Sequence, residues 1–275
     1  GYSLTSSDPR FGGISSIQIR KDGKFLWAIS DRGYWMRFSL IHQSENLANI
    51  HLNEIKILQL PRGEKREIHN LDAEASTLIN SQTLLVSFEN TNRILAYQFK
   101  DDIITGVPRY YKSPEARADA PRTGGPEAMA RLCDGRVFLL NEKNNFGRHL
   151  RVGWVGNEKT WQMVRYQPYA NYDPTGATTL PDCRVMLTVR RFNLTSFSWG
   201  IAFIDFSKIG YSNVIHDTSL VLFNRSAISE NFEAIAARVG RNGKIYVYAM
   251  ADDNFSIFQE TLLLQFELEP VSNLQ

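Results

Sequence analysis

One supersecondary unit, written five times, constrains this chain more than any other feature. Each copy has an acidic or glycine step, a short apolar strand, a glycine turn, a second apolar strand and a polar cluster where that strand ends. The clearest copy is Asn231-Phe232-Glu233-Ala234-Ile235-Ala236, then Gly243-Lys244-Ile245-Tyr246-Val247-Tyr248, then Asp252-Asp253-Asn254-Phe255. The others open at Gly12-Gly13-Ile14-Ser15, Asp72-Ala73-Glu74-Ala75, Gly125-Pro126-Glu127-Ala128 and Asp173-Pro174-Thr175-Gly176-Ala177. Their second strands end on Ser30-Asp31-Arg32-Gly33, Glu89-Asn90, Asn141-Glu142 and Arg190-Arg191. A period of about 50 to 60 residues with four short strands per period is the pattern of propeller blades. The apolar runs are short, β-branched and aromatic, and broken by Gly, Asn and Asp, which excludes a helical repeat.

The fifth unit lacks its outermost strand. Residues 1 to 12 precede the first unit and can supply it, closing the ring and protecting its edges. Together the two pieces make one further period. The sequence therefore predicts an all-β, single-domain β-propeller over residues 1–275, with five four-stranded blades closed by the N-terminal strand. A six-bladed ring is the alternative, and it needs a degenerate unit that the sequence does not display. Two stretches read as irregular: His42 to Asn53 as a polar excursion, and Ser113 to Gly125 as a surface loop.

A balance of 31 basic and 29 acidic residues leaves a net charge of +2. No global field therefore argues for nucleic acid. No apolar run approaches the roughly 20 residues that span a bilayer, so no membrane insertion is expected. The N-terminus has neither the basic nor the apolar region of a signal peptide. Cys133 and Cys183 fall in equivalent turns of consecutive units. A bridge is conceivable there, but its distance requirement is demanding, and two unpaired turn cysteines are the expectation.

First strands of propeller blades line the central channel, and ligand sites gather at one mouth of it. The repeat puts Glu74, Glu127 and Glu233 at equivalent places, with Gly13 and Gly176 there in the other two units. Carboxylates around one axis repel and raise one another's pKa unless a cation or an arginine sits among them. Such an oxygen-rich ring suits Ca²⁺ or Mg²⁺. Equally, each Glu could cap backbone N–H groups of the neighbouring blade. The second-strand ends add Asp31, Arg32, Glu89, Asn90, Glu142, Arg190, Arg191, Asp252, Asp253 and Asn254. These types bind metal, hold anions or supply a base, but strand ends are also polar where they meet solvent. No histidine pair has metal-ligand spacing, and no nucleophile elbow, P-loop or H-E-x-x-H is present. Asn193-Leu194-Thr195 and Asn224-Arg225-Ser226 match the glycosylation sequon.

At these motifs the sequence resembles the phytase-like propeller family, the "esterase-like activity of phytase" domain of mostly bacterial, often exported proteins. The resemblance rests on the opening motifs above, on Leu187-Thr188-Val189-Arg190-Arg191-Phe192, and on Asn231-Phe232-Glu233-Ala234 with Asp252-Asp253-Asn254-Phe255 and Thr261-Leu262-Leu263-Leu264. It implies an ester or phosphoester hydrolase acting on a small anionic substrate, as a periplasmic or secreted monomer whose signal peptide has been removed. The Asp-Ala-x-Asp-Asp-Pro run of the well-studied β-propeller phytases is not here. The expected site has Glu74, Glu127, Glu233 and Asp252 as ligands of Ca²⁺ or Mg²⁺, Arg32 and Arg190 holding the anionic group, and Glu142 as general base. Two rivals stand beside it: a non-catalytic ligand- or protein-binding propeller, and a calcium-dependent sugar lactonase.

Overall fold

The structure, a computed structural model, describes residues 1–114, 125–142, 150–169, 172–193, 196–208, 213–223, 230–256 and 258–269. Leu194 and Thr195 of the first sequon, the whole of the second, and most of the loop from Ser113 to Gly125 fall on residues outside this set. β1 (Tyr2–Leu4) opens the chain. Blade 1 is β2 (Ile14–Ile19), β3 (Phe25–Ser30), β4 (Tyr34–Gln43) and β5 (Asn46–Ile57). Blade 2 is β6 (Ala73–Asn80), β7 (Thr83–Phe88), β8 (Arg93–Lys100) and β9 (Ile103–Tyr111). Blade 3 is β10 (Pro126–Arg131), β11 (Val137–Asn141), β12 (Arg151–Gly156) and β13 (Trp161–Gln167). Blade 4 starts with β14 (Asp173–Thr179), β15 (Val185–Asn193) and β16 (Ser196–Ile204). β17 (Val214–His216) then crosses to pair parallel with β13, and β18 (Ser219–Phe223) completes blade 4. Blade 5 is β19 (Asn231–Val239), β20 (Ile245–Asp252) and β21 (Thr261–Leu268), with β1 antiparallel on β21 through Tyr2–Leu263 and Leu4–Thr261. The ring is five-bladed and closed by the N-terminal strand.

Strands of a blade are buried on both faces because each face meets a different neighbour. The five apolar clusters accordingly lie between blades, one at each interface. Trp199 shows the packing. It stacks on Phe223 at 4.2 Å within blade 4 and on Phe232 of blade 5 at 4.0 Å, with none of its surface exposed. A core divided into wedges leaves the axis to the polar residues at the strand ends.

First-to-second-strand turns are fixed by side chains that imitate the backbone. Asp22, Asn80, Asp134, Asp182 and Asn242 each accept the N–H of the residue two further on. Cys133 and Cys183 stand in the turns of blades 3 and 4, and they form a disulfide with Cα atoms 5.5 Å apart. The expectation of two unpaired cysteines is thereby corrected. First strands converge on the axis, so their turns approach more closely than turns further out. The polar excursion from His42 to Asn53 is corrected too. It is the outer hairpin of blade 1, turning on Ser44 and Glu45 at φ 51° and 73°. At the rim β5 alternates exposed with half-buried residues and so lacks an apolar run.

The turn between third and fourth strands reaches back to the preceding blade in blades 1 to 4. Glu45 meets Arg238 at 2.6 Å, Asp102 pairs with Arg20, Glu158 meets Arg109 at 2.5 Å, and Asp217 accepts from Tyr166 at 2.6 Å. These clasps and the disulfide hold the face opposite the ends of the second strands.

Candidate functional site

Every first strand breaks register near its start. The breaks fall between Ile14 and Ser16, Ala73 and Ser76, Pro126 and Ala128, Pro174 and Gly176, and Phe232 and Ala234. A bulge leaves its extra residue out of the ladder and re-aims that side chain. Ser15, Glu74, Glu127, Thr175 and Glu233 are the residues so placed. Gly13 and Gly176 therefore do not share the place of the glutamates. Gly176 instead lets two blades touch, since a Cβ on it would lie 2.1 Å from the Glu233 carbonyl oxygen. Thr175, in the bulge, donates to the Phe232 carbonyl at 3.0 Å.

Glu74, Glu127 and Glu233 meet at one mouth of the channel. Burial pushes all three carboxyls up, and each feels other carboxylates across the mouth. For Glu74 the neighbours are Glu233, Asp72 and Glu89; for Glu127 they are Glu142, Glu74 and Glu233. Burial, then Glu233, Asp31 and Asp253, pushes Asp252 up to about 8. Burial, opposed by the charge of Arg32, holds Asp31 at about 6.

Arg190 is the half-buried counter-charge. Its Nη2 donates to Glu142 Oε1 at 2.7 Å, its Nε to the same oxygen at 3.2 Å, and its Nη1 to Glu233 and Asn231. Asn231 in turn donates to Glu233 at 2.8 Å. Arg190 and Glu142 thus grip each other. Arg32 is exposed at the rim, its guanidinium 3.2 Å above the Phe255 ring. Arg151, buried in blade 3, holds Asp173 at 3.0 Å through Nε.

Asp72, Glu74 and Glu89 present oxygens that all lie within 4.8 Å of one another, the one such group among the described residues. Burial, then the charges of Glu233 and Asp72, push the Glu74 carboxyl up, and burial raises that of Asp72 as well. Asn141 lies on the face of β11 that packs on blade 2, as Val137 and Leu139 do. Its Oδ1 is buried and accepts nothing. Three carboxylates and an amide oxygen are hard donors that fit a Ca²⁺-like or Mg²⁺-like cation. Sequence reasoning had Glu74, Glu127, Glu233 and Asp252 as ligands. The structure brings all four to the mouth but sets Glu74 with Asp72 and Glu89, Glu233 with Arg190, and Asp252 beside Glu233. Asp72 was visible as an acidic residue two before Glu74. Asp72 stands opposite Glu89 in the ordinary register, and it is Glu74 whose aim depends on the bulge, which leaves no mark in the sequence.

Residues 9–255 match the family described as esterase-like activity of phytase. The chain belongs to this phytase-like family. Among solved structures, a Bacteroides uniformis protein named as a 6-phosphogluconolactonase aligns with a TM-score of 0.43 at 12% identity. The alignment covers 94% of this chain and 68% of that one. No match to a curated protein was found.

Proposed function

We propose that this phytase-like propeller is a hydrolase of small anionic esters or phosphoesters, dependent on a divalent cation held by Asp72, Glu74 and Glu89 with Asn141. The observation that carries the reading is the convergence of these three acids within 4.8 Å of one another, in the blade faced by the β11 surface that carries the buried, unsatisfied Asn141 oxygen. A cation bound there would supply Lewis-acid polarisation of an ester oxygen and a more acidic water. Arg32, splayed over Phe255 at the rim, is placed to hold the substrate's anionic group. Arg190 orients Glu142 and Glu233 through its hydrogen bonds. Asp31, at about 6, can take and return a proton near neutral pH. We give it this role in place of Glu142, whose Oε1 already accepts two bonds from Arg190. The disulfide supports an oxidising compartment, the periplasm or the cell exterior.

A melting series with Ca²⁺, Mg²⁺ or EDTA tests the cation. At 100-fold its dissociation constant, a bound ion adds about 2.7 kcal/mol of stability. Glu74→Gln should erase that gain, because the neutral amide lacks the charge that holds the ion. No shift with any divalent ion would overturn the cation. Absence of turnover on carboxyl esters, phosphomonoesters and lactones would overturn the hydrolase and leave a binding propeller.

A further inference from the structure

On the opposite face, between blades 5 and 1, lies a cavity of ≈ 590 Å³. Arg238 lines it, further along β19 from Glu233 by about 16 Å of extended strand. Asp22, Lys24, His42, Glu45 and Arg241 also contribute to its wall.

The hydrogen bonds in this wall are unbalanced. Asp22 is taken by Arg20 and by the Lys24 N–H. Glu45 accepts from Arg238 Nη1 at 2.6 Å and from the Arg241 N–H at 3.1 Å. Both carboxylates are therefore occupied. On the donor side, neither Lys24 nor the Arg241 side chain has a salt bridge among the described residues. Arg238, with 3% of its side chain exposed, has Nη2 buried without an acceptor. Such an orphaned donor keeps the full desolvation cost of its burial.

His42 adds another donor, and the network fixes which one. Tyr248 Oη accepts from Arg238 Nε at 3.1 Å and from Gln265 Nε2 at 2.8 Å. Its own hydrogen is then left for His42 Nε2, 2.8 Å away. His42 must be neutral, with its proton on Nδ1. Burial and the charge of Arg238 hold it below the ordinary histidine value, in agreement. Glu45 reaches this position from a turn in which it and Ser44 both adopt positive φ.

We propose that this cavity binds a small metabolite through an oxyanion group, a phosphate or a carboxylate, gripped by Lys24, Arg241 and Arg238. Its volume lies in the range of small-molecule sites. The site is separate from the hydrolytic mouth and stands or falls without it.

The test is calorimetric titration of the full chain, in chloride buffer with EDTA, against inorganic phosphate and against succinate. Saturable binding of either probe is expected, and the stronger one identifies the oxyanion class. A Lys24→Glu/Arg241→Glu double variant, altered only at exposed side chains, should weaken it at least tenfold. Arg32→Ala at the mouth should leave it unchanged. Failure of both probes to bind overturns the proposal. So does binding that survives the double variant, or binding that disappears in Arg32→Ala, since either result places the anion elsewhere.

Discussion

Arg190 is the residue on which the electrostatics of the mouth turn. It is the half-buried cation between Glu142 and Glu233, and removing it leaves both carboxyls without their partner in a poorly hydrated place. Losing one partner of a buried pair typically costs about 3–5 kcal/mol. Arg190→Met should therefore destabilise the ion-free protein by about that much in urea unfolding at pH 7. Arg190→Met combined with Glu233→Gln should recover part of the loss. A loss below about 1 kcal/mol would show that the pair is well solvated. At this scale the sequence was a partial guide. It brought forward Arg190 and Glu142 as polar strand ends and Glu233 in an opening motif, but their mutual grip spans blades 3, 4 and 5. Spacing along one chain cannot report it.

Blades are the elements, and their existence was legible because each repeats one pattern of apolar runs and glycine turns. Boundaries failed where burial was one-sided. The outer hairpin of blade 1 was read as an excursion because β5 alternates at the rim. β17 went unread because three residues carry no period. The disulfide was undervalued for a different reason: turn proximity follows from the convergence of first strands, a property of the ring. Crosslinking residues 50 apart removes loop entropy worth about 4 kcal/mol in the chain-entropy model, with delivered values of about 2–4 kcal/mol. Cys133→Ser/Cys183→Ser should lower stability by that amount. The same protein treated with reductant should match the variant. Equal stability of oxidised wild type and variant would mean that the bridge is dispensable.

Across the whole molecule, the mouth concentrates Asp31, Asp72, Glu74, Glu89, Glu127, Glu142, Glu233 and Asp252 against Arg190 and Arg32. Asp31 at about 6 and Asp252 at about 8 both stand above the ordinary value of 3.8. The folded state therefore binds more protons than the unfolded chain between about pH 4 and 8, and stability falls as pH rises through that window. Asp31 alone contributes on the order of 2–3 kcal/mol to the fall. In EDTA the melting point should climb as pH is lowered from 8 to 5. Saturating Ca²⁺ should flatten the slope, since the cation takes the place of protons. A melting point that drops steadily toward pH 5 in EDTA would contradict the burial of these carboxyls.

The clasps on the far face bear on how such a ring can change its membership. Glu45, Asp102, Glu158 and Asp217 come from corresponding hairpins, while their partners vary: an arginine at the end of a first strand, an arginine on a fourth strand, a tyrosine. The acid is the constant end and the donor is the end that drifts. Because every clasp points the same way round, blades 1, 2 and 3 each carry an acid for the neighbour behind and a donor for the neighbour ahead. A duplicated blade would inherit both halves, and a ring built on this rule can gain a member by tandem copying without leaving a join unfastened.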